Sequence, residues 1–171
     1  MNPVQQERRI VIAPKGAPAG TEVTVTMTGM PPLTGLQIGF GSLQEHQFIA
    51  RTPSDENGNA THVVRLPDWA QRDKVHFFFI AWGDIRPRGF SDAFHVTGPE
   101  SVARVAGLLG REGESACTTL RDGADNLYSL IGDTSSFPPG ARVVVRGPVV
   151  DGTPCSGLGI TISVTEIRSS L

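Results

Sequence analysis

Thr21-Glu22-Val23-Thr24-Val25-Thr26-Met27-Thr28 is the stretch that decides the fold class. Val23, Val25 and Met27 fall on one side of an extended chain, and Thr24, Thr26 and Thr28 on the other. A period of two is the pleat of a strand with one buried face. The signal recurs on both sides of this segment. Arg9–Ile12 reads as a short first strand, and Ala13–Gly20, with Pro14 and Pro18, as a turn segment. Pro31-Pro32 ends the alternating strand, and Leu36–Phe40, His46–Arg51 and Ala60–Leu66 resume the pattern. Asp55-Glu56-Asn57-Gly58-Asn59 is a turn, because Asn-Gly tolerates the positive φ of tight turns. Val75–Trp82 is the most apolar run, with large residues on both faces, and is expected to be a central strand covered on both sides. Phe90–Val96 closes the set. Seven short strands with regular turn signals predict an immunoglobulin-like sandwich over residues 10–97, preceded by a disordered lead-in over 1–9.

Thr97-Gly98-Pro99-Glu100 reads as a linker, with a domain boundary expected within Thr97–Ser101. Beyond it, Val102–Leu109, Ala116–Leu120, Asn126–Ile131, Ala141–Val150 and Leu158–Ile167 are five more strands, separated by Asp122-Gly123, Pro138-Pro139-Gly140 and Asp151-Gly152. Five strands in a segment of this size predict an OB-like barrel over residues 102–171. The fold class is thus all-β, a sandwich followed by a small barrel.

The 171 residues suit two small domains, and the 20 glycines and 13 prolines fit many tight turns. Residues 1–98 carry 9 basic and 9 acidic side chains, and residues 99–171 carry 6 and 8, giving a net charge of −2. Neither half has the basic excess on which binding to a phosphate backbone relies, so nucleic acid is not an expected partner. The barrel is also nearly devoid of the aromatics on which single-stranded nucleic acid stacks. No apolar run approaches the roughly 20 residues that span a bilayer. The polar start, Met1-Asn2-Pro3-Val4-Gln5-Gln6-Glu7-Arg8-Arg9, lacks the apolar stretch of a signal peptide. The chain is therefore either cytoplasmic or the remainder of one whose export signal has been removed.

Cys117 and Cys155 favour the second reading. A bridge between them would staple a small domain with little aromatic mass, by about 3–4 kcal/mol in the chain-entropy model, and would belong outside a reducing cytoplasm. The alternative is two buried thiols. A catalytic cysteine is not expected, since the Cys-x-x-Cys spacing is absent and no histidine lies in the same domain. His46, His62, His76 and His95 fall in strands without metal-ligand spacing and read as half-exposed polar positions. Asp55-x-Asn57-x-Asn59 lacks the later Glu that would complete a calcium loop. No Gly-x-Ser-x-Gly and no glycine-rich phosphate loop before a helix is present, and no cofactor or metal is expected. The loop Trp82-Gly83-Asp84-Ile85-Arg86-Pro87-Arg88 is the candidate binding feature. It joins the last two strands of the sandwich, and Trp82, Asp84, Arg86 and Arg88 bring together residue types favoured at interfaces. Its plain alternative is a solvated hairpin tip.

Two resemblances add to this reading. Residues 10–97 resemble bacterial immunoglobulin-like domains of the IPT/TIG kind. The resemblance lies in Pro14 and Gly20-Thr21-Glu22-Val23-Thr24-Val25, Ile38-Gly39-Phe40-Gly41, the Asp55–Asn59 turn, Leu66-Pro67-Asp68-Trp69-Ala70 and Ser91–Val96. Such domains act as spacers or adhesion modules, which implies that role here. Residues 102–171 resemble an uncharacterised two-cysteine β domain of bacterial secreted proteins and lipoproteins. The matching residues include Cys117, Leu127-Tyr128-Ser129-Leu130-Ile131-Gly132, Pro139-Gly140, Val143–Gly147, Cys155, Gly159 and Ile160. That resemblance implies no activity.

The resulting expectation is a non-enzymatic, exported bacterial binding or spacer module, periplasmic, secreted or at the cell surface, with a protein or a glycan as its partner. An accessory or inhibitor subunit of a partner enzyme is the alternative. An enzyme with an interdomain site stands last, because no catalytic set is visible.

Overall fold

The computed structural model describes residues 7–42, 44–112, 117–151 and 159–170, with Glu112 described in its backbone alone. The strands are β1 (Arg9–Ala13), β2 (Gly16–Pro18), β3 (Glu22–Thr28), β4 (Gly35–Gly41), β5 (His46–Pro53), β6 (Ala60–Arg65), β7 (Val75–Ala81), β8 (Gly89–Phe90) and β9 (Phe94–Thr97). They continue as β10 (Val102–Glu112), β11 (Cys117–Asp122), β12 (Leu127–Ile131), β13 (Arg142–Val150), β14 (Ile160–Ser163) and β15 (Glu166–Ser169). Among the described residues there is no helix, and so none long and apolar enough to cross a membrane. The fold is all-β, an immunoglobulin-like sandwich with a small closed barrel.

The chain forms two compact units. The first comprises the chain up to Ala13, Gly20–Ala70 and His76–Asp92, and the second Pro14–Ala19, Gln71–Val75 and the chain from Ala93 on. The closing strand β9 therefore lies in the second unit, with β2.

In the first unit β3 runs between β1 and β6, all antiparallel, and the alternation predicted for it is observed. Val23, Val25 and Met27 are fully buried. In the other sheet β4 pairs β5 on one edge and β7 on the other, and β8 pairs the far edge of β7. Leu36, Ile38 and Phe40 of β4 and Phe78 and Ile80 of β7 are buried with them. Each such side chain contributes roughly 1.5–3 kcal/mol by leaving water. Phe79 and Ala81, on the opposite face of β7, are buried as well, so this strand is covered on both sides as its composition requires. His46 and Phe90 pack on the Phe79 ring at centroid distances of 4.7 and 5.2 Å.

The Asp55–Asn59 segment is the expected turn. The Asp55 carboxylate accepts the backbone N–H groups of Asn57 and Asn59 at 2.9 and 2.8 Å, which occupies Oδ1 with the loop itself. Gly58 takes φ +78°, and a β-carbon there would lie 2.1 Å from the Met30 carbonyl oxygen, so only glycine fits.

In the second unit β10, β11, β12, β14 and β13 pair in that order, and β13 pairs back on β10 to close the ring. The β12–β14 pair is parallel and the other pairs of the ring are antiparallel. This is the five-stranded barrel expected, with β15 added along β13. Leu109, Leu120, Leu130, Val143, Val145 and Ile162 make an aliphatic core around Tyr128. Gly107 stands where β10 passes from pairing with β13 to pairing with β11. A β-carbon there would lie 2.3 Å from the Arg121 carbonyl oxygen, so the strand turns the barrel corner on a residue without a side chain.

The first strand, expected over Arg9–Ile12, is β1. Three local expectations are corrected. The Ala13–Gly20 turn contains a strand, β2, which pairs β9 in parallel. Phe90–Val96 is not one strand: the Ser91 hydroxyl accepts the Phe78 N–H at 3.0 Å and donates to the Asp92 carbonyl at 2.8 Å, and pairing resumes only at Phe94. Leu158–Ile167 likewise breaks at Val164-Thr165. Val164 N–H donates to Ile131 and Thr165 N–H to Arg146, which sets β14 between β12 and the end of β13 and β15 along the first half of β13.

Candidate functional site

The β7–β8 hairpin presents the predicted loop, and its residues come together. The Arg88 N–H donates to the Ile80 carbonyl at 2.8 Å and closes the hairpin. Gly83, at φ +79°, turns the chain out of β7. Asp84 organises the tip. Its Oδ1 accepts the Arg86 backbone N–H at 2.9 Å, and its Oδ2 lies 3.3 Å from Arg88 Nη2 and 3.7 Å from Arg86 Nη2. The Arg86 N–H is the largest influence and holds the Asp84 carboxyl below its ordinary range; desolvation opposes it, and the charges of Arg88 and Arg86 add smaller lowering effects. Arg88 Nε donates to the Trp82 carbonyl at 3.0 Å, and its guanidinium lies 5.5 Å from the indole centroid.

Arg8 is a member of this group that the sequence did not indicate. Its guanidinium lies 4.7 Å from the Trp82 centroid, and Nη1 donates to the Arg88 carbonyl at 3.2 Å. Two cations thus pack on one half-buried indole. Ile85, in the same loop, was not singled out by the sequence reading either. It is 75% exposed, and the Arg86 side chain beside it is 86% exposed. The sequence signal for Ile85 was available, since a large aliphatic residue between Asp84 and Arg86 in a turn has no core to enter.

The second cluster lies in the barrel unit. His95 on β9 is fully buried, and His76 in the sandwich is nearly so, which corrects the expectation of half-exposed histidines. His76 is buried because its ring stacks on Phe40, with centroids 4.9 Å apart and planes 9° apart. His95 is buried between polar partners. Its Nδ1 lies 3.0 Å from the Tyr128 hydroxyl and its Nε2 lies 3.4 Å from Asp73 Oδ1. A carboxylate at Nε2 assigns the ring proton there, which leaves Nδ1 to accept from Tyr128. Asp73 sits at φ +59°, a conformation aspartate tolerates better than most residues, and Oδ1 also accepts the Arg104 N–H at 3.3 Å. Arg72 pairs Asp73 at 3.5 Å and Glu100 at 2.9 Å. Burial, and then the charges of Asp122 and Asp73, push the Tyr128 phenol well above its ordinary value. With Tyr128 1% exposed and His95 fully buried, these groups are closed to a substrate, and their chemistry is that of a clamp. The clamp ties β9 and the segment before β7 to the barrel core within one unit.

Cys117 is buried at the start of β11, and its expected partner Cys155 lies outside the described residues. Among the described residues no three His, Cys, Asp or Glu side chains gather as a metal shell.

No protein-family model and no curated protein matches the sequence. Among solved structures the chain is similar to macromomycin, at 13% identity and a TM-score of 0.34, over 72% of this chain and 95% of that one. A likeness of that size carries no argument about ligand or role.

Proposed function

We propose that this chain is a non-enzymatic, exported bacterial binding module whose contact surface is the tip of the β7–β8 hairpin. The observation that carries this reading is an exposed Ile85–Arg86 pair held on a braced loop. Asp84, Arg88, Trp82 and Arg8 fix the loop from below, so a partner meets groups whose ordering cost, about 0.5–1.5 kcal/mol for each mobile side chain, is already reduced. Arg and large apolar groups on a rigid loop are the chemistry of an interface anchor. The spacer or adhesion role implied by the IPT/TIG resemblance is compatible with a contact surface at one hairpin. The exported home rests on pairing of Cys117 with Cys155.

The test is a photo-crosslinking residue placed at position 85, compared with one at Gly123 in an exposed turn of the barrel, both exposed to the native extracytoplasmic fraction. A discrete adduct from position 85 and none from position 123 is expected. Equal labelling from both, or none from either, refutes the reading.

A further inference from the structure

We infer that the occupant of the hairpin tip is an acidic polypeptide segment that also carries an apolar side chain. This rests on the reading of the tip as a contact surface and goes on to name the partner's chemistry. Three observations converge on it.

The first is charge. Among the described residues Arg86 and Arg88 share the Asp84 carboxylate at the tip and Arg8 packs on the same indole as Arg88, while the whole chain carries a net charge of −2. Asp84 spends its oxygens on the loop backbone and on bracing the two arginines of the hairpin. Arg8 makes no ion pair among the described residues. The tip is thus a local cationic site on an acidic protein, which steers an anionic partner to this point of the surface.

The second is Ile85. An aliphatic side chain three-quarters in water beside Arg86 offers a contact that an apolar side chain can cover and a sulfate or carboxylate cannot.

The third is the state of Trp82. Sugar recognition by stacking needs an open aromatic face. Here the indole is half-buried and already carries the guanidiniums of Arg8 and Arg88 at 4.7 and 5.5 Å. The ring serves to position cations and is withdrawn from the role it would play toward a glycan. A polypeptide combining carboxylates with an apolar residue matches both kinds of group that remain on offer.

The experiment measures binding of the full chain to three probes: a fluorescent peptide of Glu-Glu-Leu repeats, the corresponding Glu-Glu-Ser peptide, and a sulfated oligosaccharide. Each is titrated at low and at high salt against the wild type, Ile85→Ser, Arg86→Ala and Arg8→Ala. The expected result is preferential binding of the Glu-Glu-Leu peptide, weakened by high salt because the contact charges are exposed. Ile85→Ser lowers that affinity roughly tenfold and leaves the weaker Glu-Glu-Ser binding unchanged, and each arginine variant weakens both peptides. Equal or tighter binding of the oligosaccharide, insensitive to Ile85→Ser, overturns the inference and leaves the contact-surface reading standing. Peptide binding that none of the three variants changes, or no binding to any probe, overturns the inference, and the cross-link at position 85 then decides the contact surface separately.

Discussion

Asp84 with Arg88 and Trp82 at the hairpin tip, and Asp73 with His95 and Tyr128 in the barrel unit, are assembled from similar parts. Each set joins a carboxylate, a nitrogen-bearing side chain and an aromatic ring. Their surroundings differ. Asp84 and Arg88 keep more than two-fifths of their side-chain surface in water, whereas His95 and Tyr128 keep essentially none. In water the attraction between charges is weak and screened, so the tip network fixes geometry and adds little stability. In the barrel unit every polar group removed from water needs a partner, so the same kinds of contact become conditions for folding. One triad presents groups to solvent, and the other fastens strands that are far apart in the sequence.

The largest expected effect lies on the buried side. Reduction of the proposed Cys117–Cys155 bridge is expected to destabilise the barrel unit by about 3–4 kcal/mol and to leave the cysteine-free sandwich little changed. Intact mass after alkylation, with and without reductant, tests the pairing. Two alkylated thiols in the unreduced protein would remove the staple and with it the argument for an exported home. His95→Ala is expected to cost about 3 kcal/mol in chemical denaturation, since it opens a cavity and strips the Tyr128 hydroxyl of its acceptor. A loss below about 1 kcal/mol would mean that the buried triad is no more a clamp than the exposed one.

Tyr128→Phe keeps the ring and deletes one hydrogen bond, for an expected loss of about 1 kcal/mol. It also sharpens the comparison through pH. The folded Tyr128 phenol retains its proton beyond the value near 10 at which an unfolded tyrosine ionises. Its contribution is therefore complete below about pH 10 and is lost as pH rises from there toward the folded value. Over that range the wild type is expected to lose stability more steeply than Tyr128→Phe, and parallel curves would contradict the burial of this hydroxyl.

The sandwich and the barrel were legible because their signals are local. Val23, Val25 and Met27 alternate within one strand, and the turns at Asp55–Asn59 and Asp122-Gly123 declare themselves. The barrel's ring closure is less local, yet strand count and length were enough to expect it. β2 was hidden because Pro14 and Pro18 bracket a three-residue strand whose only merit is a parallel edge on β9. The His95 clamp was hidden for a similar reason. Its partners stand 22 and 33 residues away, and nothing near Asp73 or Tyr128 in the sequence marks them as a pair. At the tip, Trp82, Asp84, Arg86 and Arg88 were legible by residue type and adjacency. Arg8 came from the other end of the domain, and Ile85 was overlooked among charged neighbours.

The smallest stability effect belongs to Arg88→Ala. It removes a charge that holds the Asp84 carboxyl low, so the Asp84 titration followed by NMR is expected to move upward. Global stability should stay within about 0.5 kcal/mol. A larger loss would make the tip a structural element like the clamp.

The division between a presenting triad and a fastening one is tested most directly by Ile85→Ser/Arg86→Ala, with thermal midpoint and Glu-Glu-Leu peptide affinity measured on the same sample. The expected result is a midpoint within about 2 °C of the wild type and an affinity reduced more than tenfold. Unchanged affinity, or an affinity lost only together with a fall in the midpoint, would contradict the account.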